Sequence, residues 1–367
     1  MAGRFALLAA VALTATALTA TGCRPLHVAA DANVSLPQPL LASADARVTG
    51  DAKVTTVISP VADQSPITPS VVLCEPAGQN LPRVAILDVD GLLLNSDMVG
   101  LGSHGENPVA LFRERLDAVA ADPQVIAVVL RINSPGGGVT ATDIMWHDLL
   151  AFKKQTKLPV LACLLDAGAG GAYYLATAAD EIVVHPTSIV GGIGVILNLY
   201  NLQDTMSQFN IAAEPIKAGK RIDLGSPIAA LDDEGRKLLQ SMADSFQQRF
   251  RRIVLEARNK VDANDATNFD GRVFTAQDAL HRGLVDHIGY LNDAIDEASR
   301  IAGCQKVNVA FYHRPSDRAQ SLYASTPNVP LQGGLLPLSL PGLDRSRMPT
   351  FLYLWQLEPT MEKLGGK

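Results

Sequence analysis

Short apolar runs alternate with glycine-rich breaks through the middle of the chain. Residues 125–132 (VIAVVLRI) form a largely β-branched run of strand length, which ends in Asn133-Ser134-Pro135-Gly136-Gly137-Gly138 before a helical pattern begins near Val139. The unit repeats: residues 159–165 read as an apolar strand, 166–171 as a small-residue turn and 172–179 as a buried helix. A third strand over 181–185 leads to Gly191-Gly192-Ile193-Gly194, and an earlier run, 84–89, supplies a first strand. Strand, turn and helix in series predict an α/β fold with largely parallel strands. Further on, Leu238, Leu239, Met242, Phe246, Phe250, Ile253 and Val254 recur at three-to-four spacing. They predict one helix over 232–259 whose apolar stripe joins the core, with Asp232, Asp233 and Glu234 at the end its dipole favours.

Outside this core the pattern changes. Arg4 precedes an apolar, alanine-rich stretch over 5–20, marginal in length for a membrane span, and Ala20-Thr21-Gly22-Cys23 follows. Residues 1–22 therefore read as a signal peptide, and Gly22-Cys23 resembles a bacterial lipobox with Cys23 as the lipidated residue. Residues 23–82 are rich in Ala, Ser, Thr, Pro and Asp, a lipid-anchored linker in which 47–59 alternates enough for one or two short strands. Residues 313–367 form a Pro/Leu/aromatic tail that includes Phe351, Tyr353 and Trp355 and is expected to dock on its own domain.

Charge and cysteine count narrow the function. The 367 residues carry a formal charge of −6 with no basic patch, which argues against nucleic acid, and 47% hydrophobic content is ample for one large core domain. No His/Cys/Asp spacing matches a metal ligand set, and no cofactor is implied. Cys74 and Cys304 flank the core and, in an exported protein, either form a disulfide or stay as two free thiols. Glycines at a strand-to-helix junction present backbone N–H groups without side-chain obstruction, so Gly136, Gly137 and Gly171 are the candidate groups for holding an oxyanion or a peptide carbonyl.

The order Arg131-Ile-Asn-Ser-Pro-Gly-Gly, Gly170-Gly171-Ala172-Tyr173-Tyr174 with Thr177-Ala178-Ala179-Asp180, then residues 191–195, resembles signal peptide peptidase A, also called protease IV. Gly271-Arg272-Val273-Phe274-Thr275-Ala276 and Gly283-Leu284-Val285-Asp286 resemble the closing motif of the same family, so the likeness covers 83–312. It implies a single ClpP/crotonase-like core domain, a spiral of ββα units that usually oligomerises. Enzymes of that family use a Ser nucleophile and a Lys base. Here the serine position falls on Gly170, and no Ser occurs between Ser134 and Ser188. The lysine position falls on Ile222, in Lys217-Ala218-Gly219-Lys220-Arg221-Ile222-Asp223, although a two-residue gap brings Lys220 there instead. A serine hydroxyl needs a desolvated base beside it. Once the serine is gone an apolar Ile is the less strained occupant of such a site.

Substitutes for the dyad are weak. Cys163 lies inside an apolar strand, Asp166 reads as an N-cap or turn residue in preference to a carboxylate acting on water or substrate, Ser188 as structural, His185 ends a strand before Pro186, and His104 and His147 have no visible partner. The sequence thus points to a non-catalytic, lipid-anchored envelope protein facing the periplasm or the outside. Its expected partners are extended polypeptide or signal-peptide segments, further copies of itself or a catalytic homologue. The alternatives are an active serine-type envelope peptidase that degrades signal peptides or misfolded exported proteins and, fitting export poorly, a crotonase-type acyl-CoA enzyme.

Overall fold

The apolar runs become the central strands of one mixed sheet. The computed structural model describes residues 42–48, 54–60, 65–74, 81–97, 99–100, 103–104, 106–315, 321–323 and 351–355. The signal peptide and Cys23 lie outside the described residues. In chain order the elements are β1 Ala42–Val48, β2 Val54–Pro60, β3 Thr68–Cys74, β4 Arg83–Leu93, β5 Val99–Gly100, β6 Ser103–His104, α1 Pro108–Ala121, β7 Val125–Gly138 and α2 Val139–Thr156. They continue as β8 Val160–Ala169, α3 Gly171–Ala176, β9 Glu181–Val184, β10 Ile189–Gly191, α4 Gln203–Gln208, α5 Asp233–Ala257, β11 Val273–Thr275, α6 Ala276–His281, β12 His287–Ile288, α7 Leu291–Ile301, β13 Asn308–His313 and β14 Leu352–Leu354.

A single α/β domain results, built on ten strands with the path β11-β10-β8-β7-β4-β13-β3, while β9, β12 and β14 attach off that path. The pairs β13/β4, β4/β7, β7/β8, β8/β9 and β8/β10 are parallel. Parallel strands covered on both faces are apolar throughout, and the period of two divides their side chains between two cores. Leu87, Val128, Leu130 and Leu164 face one cluster, with α1, α2 and α3. Ile86, Ala127, Val129 and Cys163 face the other, against α7 and Phe311. Each such aliphatic side chain contributes roughly 1.5–3 kcal/mol by leaving water. The two fully buried charges of the central strands meet each other: Arg131 on β7 sits opposite Asp88 on β4, with Nε–Oδ1 at 2.6 Å and Nη2–Oδ2 at 2.8 Å.

Three expectations change. The sheet begins before Arg83, because β3 pairs antiparallel with β13 in a stretch read as linker. Residues 133–138 extend β7 rather than break it, since Leu92 and Leu93 of β4 pair with Gly136 and Gly137 on one side and β14 pairs on the other. The long helix α5 is only half in the core: Phe250, Ile253 and Val254 are buried, but Leu238 and Met242 are 40% and 45% exposed. The stripe is real, yet among the described residues its N-terminal half has little to pack on.

The sheet forks where the site lies. β8 pairs with β9 through Leu161–Leu164 and, past Asp166, with β10 through Ala167–Ala169. A crevice opens there at the carboxyl ends of parallel strands, the usual position for a ligand in such sheets.

Candidate functional site

β8 ends at Ala169, and Gly170 turns the chain into α3. Gly170 adopts φ +54° and ψ −125°, a conformation disfavoured for any residue with a Cβ. Its N–H donates to Gly191 O at 2.9 Å and its carbonyl accepts from Tyr174 N at 3.0 Å, so the turn is fixed from both sides. A strained strand-to-helix turn of this kind is how a nucleophilic serine is raised from the end of a sheet. Glycine takes the same backbone without strain and supplies no nucleophile.

Gly136, Gly137 and Gly171 close on this turn at backbone distance. A Cβ on Gly137 would stand 2.1 Å from Leu93 O, and one on Gly171 2.4 Å from Thr142 Oγ1 and 3.3 Å from Gly137 N. A Cβ on Gly136, at φ +107°, would stand 2.0 Å from Tyr353 O and 2.5 Å from Gly171 N. Side chains are excluded at all three, and the glycines form a shelf of bare backbone beside Gly170. Buried Ser134 braces it, its Oγ donating to Gly91 O at 2.6 Å and accepting from Gly136 N at 3.1 Å.

A segment of the tail lies on the shelf. β14 runs antiparallel to the end of β7, with Leu352 opposite Gly138, Tyr353 opposite Gly137 and Leu354 opposite Gly136. Val139 N donates to Phe351 O at 3.2 Å and Trp355 N to Pro135 O at 3.0 Å. On the other edge Leu352 and Ile196 exchange hydrogen bonds of 2.9 and 3.0 Å. An antiparallel ladder alternates its bonded pairs, which puts Tyr353 in a bonding position opposite Gly137. A Cβ on Gly170 would stand only 2.4 Å from Tyr353 O. The strand is therefore held as an extended peptide is held when it is added to a sheet edge.

Tyr353 is wholly buried and anchors the strand. Its ring stacks on Tyr174 at 5.3 Å between centroids and packs on Phe250 at 4.8 Å, and its hydroxyl donates to Phe246 O at 2.8 Å. Burial raises the pKa of both phenols, and for Tyr174 a hydrogen bond to Asp143 adds to the effect. Asp143 in turn pairs with Arg249 at 2.6 Å. Beside Leu354 a cleft of about 230 Å³ is lined by Gly192, Gly194, Ile196, Gln240, Asp244 and Gln247.

The structure brings Gly136, Gly137, Gly170 and Gly171 together and leaves Ile222 apart. Ile222 is 73% exposed on a turn and is neither among the nearest neighbours of Gly170 nor on the cleft wall, so the expected apolar filling of a desolvated site is not found. Lys220 is 78% exposed and paired with Glu234 at 3.3 Å, without the desolvation a lysine base needs. Cys163 is core, its thiol pushed up to about 12 by burial. Asp166 is exposed and accepts from Asn133 Nδ2 at 3.3 Å, Ser188 is buried, and His185 contacts Thr187 and Tyr290. His147 lies 3.8 Å from Asp148, and the side chain of His104 is outside the described residues. Cys304 is a free, half-exposed thiol, and the side chain of Cys74 lies outside the described residues. The closing motif is architectural: Tyr173 donates to Leu284 O at 2.7 Å, and Asp286 binds Ile182 N and Arg258.

Sequence reasoning missed Thr142, which packs on Gly171, and the aromatic socket around Tyr353. The alternation Phe351, Tyr353, Trp355 is a period-two signal for the strand, but only five residues long. Among the described residues no group of acidic, His or Cys side chains could hold a metal ion.

Residues 152–305 match the profile of Peptidase family S49. The chain is 27% identical over 229 residues to Protease 4 of Salmonella typhi, which covers 62% of this chain and 36% of that protein. It is 34% identical over 208 residues to Serine protease SPPA, chloroplastic, of Arabidopsis thaliana, covering 55% of this chain and 30% of that protein. It thus spans about a third of the length of these two curated relatives. A mutant of the 1510-N membrane-bound stomatin-specific protease superposes on 64% of this chain and 98% of its own, at a TM-score of 0.40 and 14% identity. Over this core the chain is similar to peptidase family S49, the family of signal peptide peptidase A.

Proposed function

We propose that this chain is a non-catalytic member of its family that binds extended polypeptide in the cell envelope without cutting it. The observation that carries the reading is Gly170. It has the backbone of a nucleophile turn, no side chain to attack with, and a peptide carbonyl already against it. A serine-type mechanism splits acyl transfer into two steps through a covalent intermediate, and without a hydroxyl at that turn neither step begins. What remains of the machinery is backbone: Gly136, Gly137 and Gly171 suit a peptide carbonyl, and Ile196 bridges the far edge of an extended segment through its N–H and carbonyl.

Export is supported by residues 1–22 and lipid anchoring by Gly22-Cys23. No helix among the described residues is long and apolar enough to cross a membrane. Phe209, Ile211, Ile216 and Ile222 leave apolar side chains exposed along one segment, which supports assembly with further copies or with a catalytic homologue. The competing reading, an active envelope peptidase, draws on the names of the relatives and requires a nucleophile other than residue 170.

The purified full chain, offered casein and fluorogenic signal-peptide substrates, is expected to give no turnover and no labelling by a fluorophosphonate. Turnover that follows the protein through successive columns would contradict the proposal.

A further inference from the structure

Residues 351–355 do more than close the fold. They lie between the edge of β7 and a backbone bridge to Ile196, they enter the site of a peptide rather than of a helix or loop, and only the central side chain is wholly buried. Its neighbours at alternate positions are also aromatic: Phe351 packs edge-on against Phe246 at 5.1 Å, and Trp355 Cβ would lie 3.1 Å from a Cβ on Gly192. The socket reads shape and chemistry together. Tyr174 and Phe250 accept a flat ring, and Phe246 O, on α5, accepts a hydroxyl at its far end.

We propose that the shelf is a sequence-selective site for extended peptides with aromatic residues at alternate positions and a tyrosine at the centre, and that residues 351–355 are its resident internal ligand. A second peptide of this pattern enters only in exchange for β14. This inference rests on the polypeptide-binding reading and adds to it a ligand class and a means of control. With Tyr353 seated, the space above Gly170 is taken by the Tyr353 carbonyl. With it withdrawn, Gly137 and Val139 offer donors to another strand, and Pro135 offers an acceptor.

The test uses the full chain and a fluorescein-labelled peptide with the sequence of residues 349–357, followed by anisotropy. A tethered segment competes at an effective concentration of roughly millimolar or below. A peptide of about micromolar intrinsic affinity is therefore expected to bind the Tyr353→Ala chain about 10²–10³-fold more tightly than wild type. In the peptide itself, Tyr353→Phe is expected to weaken binding about 5-fold, the worth of one hydrogen bond. Tyr353→Ala in the peptide is expected to weaken it about 100-fold or more.

A second route does not depend on that variant folding. A protease site inserted between Gly333 and Gly334 is cut after the chain has folded, and the tail fragment is expected to exchange for labelled peptide in excess. Equal binding to wild type and to folded Tyr353→Ala would overturn the proposal. So would a cut protein that neither releases its fragment nor takes up peptide. Hydrolysis of bound peptide would instead sink the non-catalytic reading and leave the internal ligand standing, whereas failure to bind would remove the internal ligand and leave the non-catalytic reading intact.

Discussion

Gly170 and Ile222, the two positions assigned to one catalytic pair, sit in opposite environments. Gly170 is buried, hydrogen-bonded through its N–H and its carbonyl, and crowded by Tyr353 O and Pro135 O. Ile222 is 73% exposed on a turn whose neighbours, Lys217 with Asp223 and Arg221 with Asp232, make surface ion pairs. The first environment is set by close backbone packing within the chain. The second is set by little more than local turn hydrogen bonds and solvated charge, which hold a chain only weakly. The proposed backbone-binding groove needs only the first environment, whereas a dyad requires both.

The sharpest way to break this contrast is a methyl group. Gly137→Ala drives a Cβ to 2.1 Å from Leu93 O, and a loss of about 4 kcal/mol or more is expected in urea unfolding. Ile222→Ala should stay within about 0.5 kcal/mol of wild type, and a loss above about 2 kcal/mol there would mean the segment packs on something in solution.

The same contrast divides α5. Phe250→Ala empties a site at 0% exposure between Tyr174 and Tyr353 and is expected to cost about 3–5 kcal/mol, while Leu238→Ala, in the exposed half, should cost about 0.5 kcal/mol or less by the same measurement.

Titration sharpens the comparison further. Asp90, on β4, is held up to about 7, first by burial and then by nearby Asp88. The native state keeps a proton there that the unfolded chain gives up near pH 4. Asp90 therefore favours the folded state at low pH, and that contribution is lost as pH rises through about 7. Comparing wild type with Asp90→Asn, the wild type is expected to lose up to a few kcal/mol relative to the variant between pH 4 and 7. Asp223 and Asp232, held below the usual carboxylate range by Lys217 and Arg221, act in the opposite direction and lose their contribution as pH falls into the acid range. The smallest effect expected is for Tyr353→Phe, which removes one hydrogen bond to Phe246 O and should cost about 1 kcal/mol in thermal unfolding.

The sequence was most informative where local chemistry determines structure. The runs at 84–89, 125–132 and 159–165 are apolar on both faces because both faces are covered, and they became β4, β7 and β8. The site glycines were legible because a backbone shelf admits nothing else. Ile222 was not, since whether an exposed turn meets a partner is not written in its own residues. The extent of β7 was misread because Gly136 and Gly137 are strand only through their neighbours, Leu92, Leu93 and β14. Five alternating residues in a Pro/Leu-rich tail gave too weak a period to identify β14 or its socket.

The most direct test of the account is amide hydrogen exchange at residues 137–139 and 351–355 in the full-length chain, wild type beside Tyr353→Ala. Protection at both segments in the wild type, lost together by about 100-fold or more in the variant, is the predicted result. Free exchange at both segments in the wild type would mean that the shelf is unoccupied in solution, and would contradict it.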